Sequence, residues 1–192
     1  PSLEINDSNS AIISDNKVYN TLRILNSNST TLNNNNTIQT NLNITNSNTL
    51  IISNNNLQYV NIQTTTDSTF NGNTLTKLIT NTYAGNIYSN TIVNNNLTAF
   101  DLYTVTNTNL YDNNIQNTTT AILLTNSSNN NTIYDNWLKN NNLGLNITDS
   151  TSNTIYNNYF SNTNNVYDDS DNTWYTSYAS STPNIVGGPC QG

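Results

Sequence analysis

Acidic side chains are the first candidates for chemistry in this chain, because it contains no histidine, no methionine and one cysteine. Asp112 and Asp135 hold equivalent places in two successive sequence repeats, and stacked parallel strands would bring their main chains to about 5 Å from each other. Carboxylates at that distance could act as an acid–base pair or hold a cation. Ser89 and Asn157 fill the same place in the flanking repeats, which favours the alternative of a solvated turn.

A second group of acidic residues lies close together in sequence, at Asp168, Asp169 and Asp171. It resembles a loose calcium loop but lacks the spacing and the terminal glutamate of an EF-hand. These three aspartates, together with Asp112 and Asp135, are therefore only weak cation candidates. Arg23 lies several repeats away from the aspartate pair, so it is poorly placed to assist catalysis. We expect no catalytic residue, no cofactor and no enzymatic activity.

Composition and charge exclude several classes of partner. Only 8% of the 192 residues are charged, the net charge is −7, and lysine and arginine together number four. Nucleic acids bind through clustered positive charge, so the sequence predicts no nucleic-acid partner. No apolar run approaches the length of a membrane span or of a signal-peptide core, which argues against direct membrane insertion.

A short repeat that occurs eight times must position these side chains. Each copy contains the pattern apolar–x–x–Asn–x–apolar, for example from Ile133 to Leu138, and one copy has an extra residue. A third apolar segment follows in each copy and usually alternates apolar with polar residues, as a half-buried strand does. The asparagine of the pattern recurs without exception, at Asn16, Asn36, Asn55, Asn73, Asn90, Asn113, Asn136 and Asn158.

Three short strands in every 17–23 residues predict a solenoid. We expect an all-β protein, a right-handed parallel β-helix of three sheets and about eight coils, over residues 1–171. Residues 172–192 are expected to form an irregular C-terminal arm or partial cap. From residue 93 onward, extra residues enter between the second and third apolar segments, so the C-terminal half should be wider.

The repeated asparagines predict a ladder along the axis of the helix. Asparagine tolerates the left-handed backbone conformation that a tight turn requires, and its amide can bond to the asparagine of the next coil. We therefore interpret the eight asparagines as structural. A second, partial ladder is predicted two residues beyond the second apolar position, at Asn20, Asn94, Asn117, Asn140 and Asn162.

Aromatic residues form a further column. Tyrosine directly follows the first apolar residue in four successive repeats, and alternation should place these side chains outward. They either stabilise a polar sheet face or form an interface with another subunit or a sugar. The column and its two aromatic neighbours in the last coils are Tyr88, Tyr111, Tyr134, Tyr156, Trp137 and Tyr159.

Units such as the segment from Asn131 to Ser150 resemble the parallel β-helix repeat of the NosD-like and pectate-lyase-like proteins, which occurs in surface-layer, adhesin-like and sheath proteins of methanogenic archaea. The ending from Pro183 to Gly192 is similar to the segment that closes such arrays. The resemblance implies the fold over nearly the whole chain. It implies a function only loosely, since lyases, adhesins and scaffolds share this fold.

We expect a structural extracellular protein, a subunit of a self-assembling cell-surface layer, sheath or fibre in the cell envelope. The alternative is a carbohydrate- or cell-binding adhesin domain, and a polysaccharide-active enzyme is a weaker one. The expected partners are copies of the chain itself, then glycans or other surface proteins. Assembly could run end to end or side by side. Cys190 is either a free surface thiol or the site of an intermolecular disulfide.

Overall fold

The computed structural model describes residues 2–34, 37–88 and 90–175, and within them all side chains except those of residues 39, 40, 88 and 91–97. These residues form eighteen strands and no helix. The strands are β1 (Leu3–Asn6), β2 (Ile12–Ser14), β3 (Lys17–Val18), β4 (Thr21–Leu25), β5 (Thr31–Asn33), β6 (Thr37–Thr45), β7 (Ile51–Ser53), β8 (Asn56–Asn71), β9 (Lys77–Tyr88), β10 (Thr91–Val105), β11 (Asn109–Tyr111), β12 (Asn114–Thr125), β13 (Thr132–Tyr134), β14 (Trp137–Lys139), β15 (Leu143–Ile147), β16 (Thr154–Tyr156), β17 (Tyr159–Ser161) and β18 (Asn164–Asp168).

All the strand pairs are parallel, and they stack into three sheets that follow the three apolar columns of the sequence. Sheet 1 carries the column from Ile13 to Ile155, with neighbours in register such as Leu110 and Ile133. Sheet 2 carries the column from Val18 to Phe160. Sheet 3 carries the third column, from Leu22 to Val166. One further strand precedes this column, because Leu3 pairs with Leu22. The all-β parallel β-solenoid of about eight coils is therefore confirmed.

The core lies inside the coils, because alternate residues of each strand point inward. Leucine and isoleucine dominate it, and Leu22, Leu42, Leu110, Ile115 and Ile133 are fully buried. Burying one such side chain contributes about 1.5–3 kcal/mol, so the repeated columns account for most of the stability of the solenoid.

Coil length changes along the axis as the sequence predicts. Asparagines that bond between successive coils are 18 and 17 residues apart at Asn55–Asn73 and Asn73–Asn90. From Asn90 to Asn158 the steps are 23, 23 and 22 residues. The coil of residues 72–88 is therefore the shortest of these. At sheet 2 it forms no named strand, but Thr74 bridges to Asn56 and exchanges main-chain hydrogen bonds with Asn55 and Leu57.

The last described residues still belong to the solenoid. Thr173 forms an isolated bridge with Thr154, and its carbonyl accepts from the N–H of Ile155 at 2.7 Å. Cys190 and the rest of the predicted arm beyond residue 175 lie outside the described residues. No helix in the described part of the chain is long and apolar enough to cross a membrane.

Candidate functional site

The candidate site is the corner between sheets 1 and 2 in the wide half, and an asparagine ladder forms its buried side. From Asn55 to Asn136, the side-chain Nδ2 of each ladder residue donates to the Oδ1 of the next at 2.9–3.2 Å. The same Oδ1 also accepts from the main-chain N–H of the preceding ladder residue. The predicted ladder is thus confirmed from Asn55 to Asn158. The Nδ2 of Asn16 donates within its own coil to Ser14, and Asn36 lies outside the described residues.

The left-handed residue at this corner is the one before the ladder asparagine, so our assignment of that conformation to the ladder was wrong. Its φ is +53° at Asp112, +55° at Asp135 and +51° at Asn157. This residue reverses the chain, and the asparagine after it then points into the coil. Asp112 and Asp135 therefore occupy positions selected for turn geometry, where aspartate, asparagine and glycine are favoured. The other described members are Asp15, Asn54 and Gly72.

The second ladder shows the same offset of one residue. Asn117 and Asn140, which we predicted as members, are left-handed turn residues with φ near +56°. The residue after each of them forms the ladder: Thr118 N–H donates to Asn141 Oδ1 and Asn141 N–H to Asn162 Oδ1, each at 3.0 Å. Asn162 is a member as predicted, and the side chain of Asn94 lies outside the described residues.

Sequence reasoning missed a third ladder, at the corner between sheets 3 and 1. Thr108 N–H donates to Asn131 Oδ1 at 3.0 Å, Asn131 Nδ2 to Asn153 Oδ1 at 2.9 Å, and Asn153 Nδ2 to Asn172 Oδ1 at 3.0 Å. The signal was present in the sequence, because Asn131 and Asn153 also stand two residues before an apolar column. The three ladders fix the corners rigidly, and the outer surface is displayed on this frame.

Tyrosine rings stack on the outer side of the same corner. The ring centroids of Tyr111 and Tyr134 are 5.0 Å apart, and those of Tyr134 and Tyr156 are 5.2 Å apart, with planes within 8° of parallel. The ring of Tyr134 is therefore stacked between those of Tyr111 and Tyr156. The side chain of Tyr88 lies outside the described residues, but its main chain pairs in register with Tyr111.

A second aromatic pair lies across the turn, on sheet 2. The rings of Trp137 and Tyr159 are 4.7 Å apart and tilted by 35°. Trp137 is 38% exposed, so this pair offers more open aromatic surface than the tyrosine stack does.

The electrostatics of the corner favour uncharged phenols. Burial raises the pKa of Tyr134 to about 12, and Tyr111, Tyr156, Asp135 and Asp112 add to this rise. Burial and the charge of Asp135 also raise the pKa of Tyr156. Burial raises the pKa of Asp135 itself, although a hydrogen bond from the Asn157 amide opposes the rise, and the charge of Asp112 adds to it.

The acidic candidates are engaged in structural roles. Asp135 accepts from the Asn157 amide. The carboxylate of Asp168 accepts from Ser170 N–H at 3.1 Å, Asn172 Nδ2 at 2.9 Å and Trp174 Nε1 at 2.8 Å, which fastens residues 170–174 to the last coil. Asp169 accepts from Ser170 and Asp149, and the main-chain carbonyl of Asp171 accepts from Ser152. Across the described residues, no group of three or more aspartate, glutamate, histidine or cysteine side chains could hold a metal ion.

The structure also shows an ion pair that sequence reasoning missed, on the outer face of sheet 3. Lys77 Nζ lies 2.8 Å from Asp101 Oδ2, and the two side chains are only 16% and 12% exposed. Asp101 raises the pKa of the neighbouring Tyr103. No sequence signal could have found the pair, because the two residues are 24 positions apart and lie diagonally across adjacent coils.

Comparison with known proteins identifies the family. No curated protein and no solved structure gives a significant match. The family model described as "Periplasmic copper-binding protein (NosD)" matches residues 8–192. The side chains do not fit copper: copper favours imidazole, thioether and thiolate ligands, and this chain contains no histidine, no methionine and a single cysteine. The match nevertheless spans almost the whole sequence and agrees with the parallel β-solenoid, so the chain belongs to the NosD family.

Proposed function

We propose that this NosD-family β-solenoid is a structural subunit of a self-assembling layer, sheath or fibre at the cell surface. The description of the family, as a periplasmic protein, supports a location outside the cytoplasm. The observation that carries the proposal is the outward aromatic column, whose rings repeat every 5.0–5.2 Å along a rigid rod.

The geometry of the column favours a second copy of the chain as the partner. Its repeat of 5.0–5.2 Å is close to the spacing of stacked strands, about 4.8 Å, so another β-solenoid presents side chains at a similar interval. The surface carries few charges, with lysine and arginine numbering only four, and it therefore has little of the charge that usually keeps β-proteins apart.

A carbohydrate- or cell-binding adhesin is the second candidate, and the exposure of Trp137 favours it. Sugars stack on open aromatic faces, but neighbouring rings cover the faces within the tyrosine stack. The pair of Trp137 and Tyr159 offers such a surface beside the column, whereas the stacked tyrosines do not, which is why assembly is the preferred function.

We propose no catalytic role for the chain. Asp112 and Asp135 act as turn residues in this interpretation, and Asp101 is neutralised by Lys77. Copper binding is not proposed either, since the ligands that copper prefers are missing from the sequence apart from Cys190.

Negative-stain microscopy and sedimentation velocity of the purified chain test the proposal over a range of concentrations. We expect ordered tubes, sheets or fibres, and Tyr134→Ser should reduce their formation by removing the central ring of the column. Tyr167→Ser is the matched control, because Tyr167 is 54% exposed but lies on sheet 3. A monomer at every concentration would overturn the proposal, and glycan binding by that monomer would favour the adhesin.

A further inference from the structure

A polar notch interrupts the corner between sheets 3 and 1 at the shortest coil. It has a volume of about 650 Å³. Its walls and floor come from three successive coils, and the lining residues are Thr66, Asp67, Ala84, Gly85, Asn86, Asn107 and Asn109. The notch lies away from the aromatic column, at the corner where Thr108 begins the third ladder.

The notch exists because the middle coil lacks one residue at this corner. Thr65 pairs with Tyr83, and Ser68 pairs with Gly85. Two residues therefore separate the paired positions in the first coil, but only one separates them in the next coil. A Cβ atom on Gly85 would lie 2.1 Å from the carbonyl oxygen of Ser68 and 2.9 Å from the hydroxyl of Tyr83. Only glycine fits there, and the shortened turn leaves an open space between the coils above and below it.

The side chains around the notch match the hydroxyl groups of a sugar. Asp67 provides a carboxylate acceptor, while the amides of Asn86, Asn107 and Asn109 provide both donors and acceptors. The amides of Asn86 and Asn109 hold each other in place, since Asn109 Nδ2 donates to Asn86 Oδ1 at 3.1 Å. Ala84 and Gly85 provide a small apolar floor.

We propose that this notch binds one or two rings of a neutral glycan. None of the seven lining residues is cationic, and Asp67 would repel a carboxylate or sulfate group, so an acidic sugar is disfavoured. The inference is independent of the assembly proposed above, because it uses a different surface.

Isothermal titration calorimetry of the full chain tests the site with neutral hexoses, N-acetylhexosamines and their β-1,4-linked dimers, and separately with calcium chloride. Ala84→Trp fills the notch, and Asp67→Asn removes the charge while it keeps the size and the tolerance of positive φ. We expect at least one sugar to bind, and each substitution to weaken that binding by about tenfold or more. Thr151→Trp is the control, because Thr151 is exposed at the same corner several coils away.

Three outcomes would overturn the proposal: no sugar of the panel binds, sugar binding survives Ala84→Trp, or calcium alone binds and is lost in Asp67→Asn. If Ala84→Trp fails to fold, Asn109→Ala takes its place, because Asn109 is exposed and its loss leaves the core intact. Retained sugar binding in Trp137→Ser would separate this site from the aromatic column.

Discussion

Asn113 donates both its side-chain Nδ2 and its main-chain N–H to the single Oδ1 of Asn136, at 2.9 Å and 3.1 Å. Its own Oδ1 accepts the same two bonds from Asn90. Main-chain N–H groups at a corner cannot bond within the sheets, and here the side chains of the next coil accept their hydrogen bonds. A buried polar group without a partner is costly, so the ladder is a condition for burying these corners.

Replacing Asn113 with leucine should therefore destabilise the chain strongly. The substitution leaves the buried N–H of Asn90 without its acceptor, at about 1–3 kcal/mol, and removes one of the two hydrogen bonds that Asn90 Nδ2 donates. Asn109→Leu is the matched control, because Asn109 is exposed and lies in the same coil. Urea unfolding of both variants measures the effect, and equal free energies of unfolding would mean that the ladder is incidental.

The ladder could be predicted because its asparagine keeps a constant distance from an apolar column, and a stacked fold turns constant spacing into alignment. The backbone conformation was misassigned by one residue, because asparagine is favoured both at a left-handed turn and in a ladder. At Asn54 and Asn55 the two roles fall on adjacent asparagines, and residue type alone cannot separate them. At Asp112 and Asn113 the types differ, and the structure shows which residue turns the chain.

That distinction makes a prediction for Asp112, whose φ is +53°. If the residue serves the turn, Asp112→Gly should be at least as stable as the natural chain, whereas Asp112→Ala should be less stable than Asp112→Gly by about 1 kcal/mol. The order should reverse at Asn109, a strand residue where glycine is the poorer choice. Chemical denaturation of the four variants measures both differences, and an Asp112→Ala variant as stable as Asp112→Gly would contradict the turn role.

The polar notch and the ion pair could not be predicted in the same way. Both depend on how one coil sits against its neighbours: the notch requires the register shift between Thr65 and Ser68, and the ion pair requires a diagonal contact. The asparagine spacing predicts the length of each coil. It does not predict the corner at which a short coil lacks a residue. Apolar periodicity determines the columns, whereas the outer surface depends on side-chain positions that the repeat does not specify.

The stacked tyrosines predict a loss of stability in alkali. The folded chain raises the pKa of Tyr134 from 10.0 to about 12, so the folded state holds that proton more tightly than the unfolded state does. The stabilisation is complete below pH 10 and is lost as the pH rises through about 12. Tyr134→Phe should therefore show a smaller fall in unfolding free energy over this range.

The measurement is urea unfolding at a series of alkaline pH values, together with the ultraviolet absorbance of tyrosinate. Tyr167→Phe is the control, because Tyr167 lies outside the column. Identical pH slopes for the natural chain and for Tyr134→Phe would show that the phenol does not contribute.

The ion pair of Lys77 and Asp101 makes the last prediction. Both side chains are largely buried, and Lys77 Nζ lies 2.8 Å from Asp101 Oδ2, so the charge of the carboxylate is compensated by this contact. Lys77→Met should destabilise the chain by about 3–5 kcal/mol, because it leaves a buried charge uncompensated. The double variant Lys77→Met/Asp101→Leu should recover most of that loss, since two apolar side chains of similar size need no partner. A double-mutant cycle in urea measures the coupling, and a double variant no more stable than Lys77→Met alone would show that Asp101 has a role beyond neutralising the lysine.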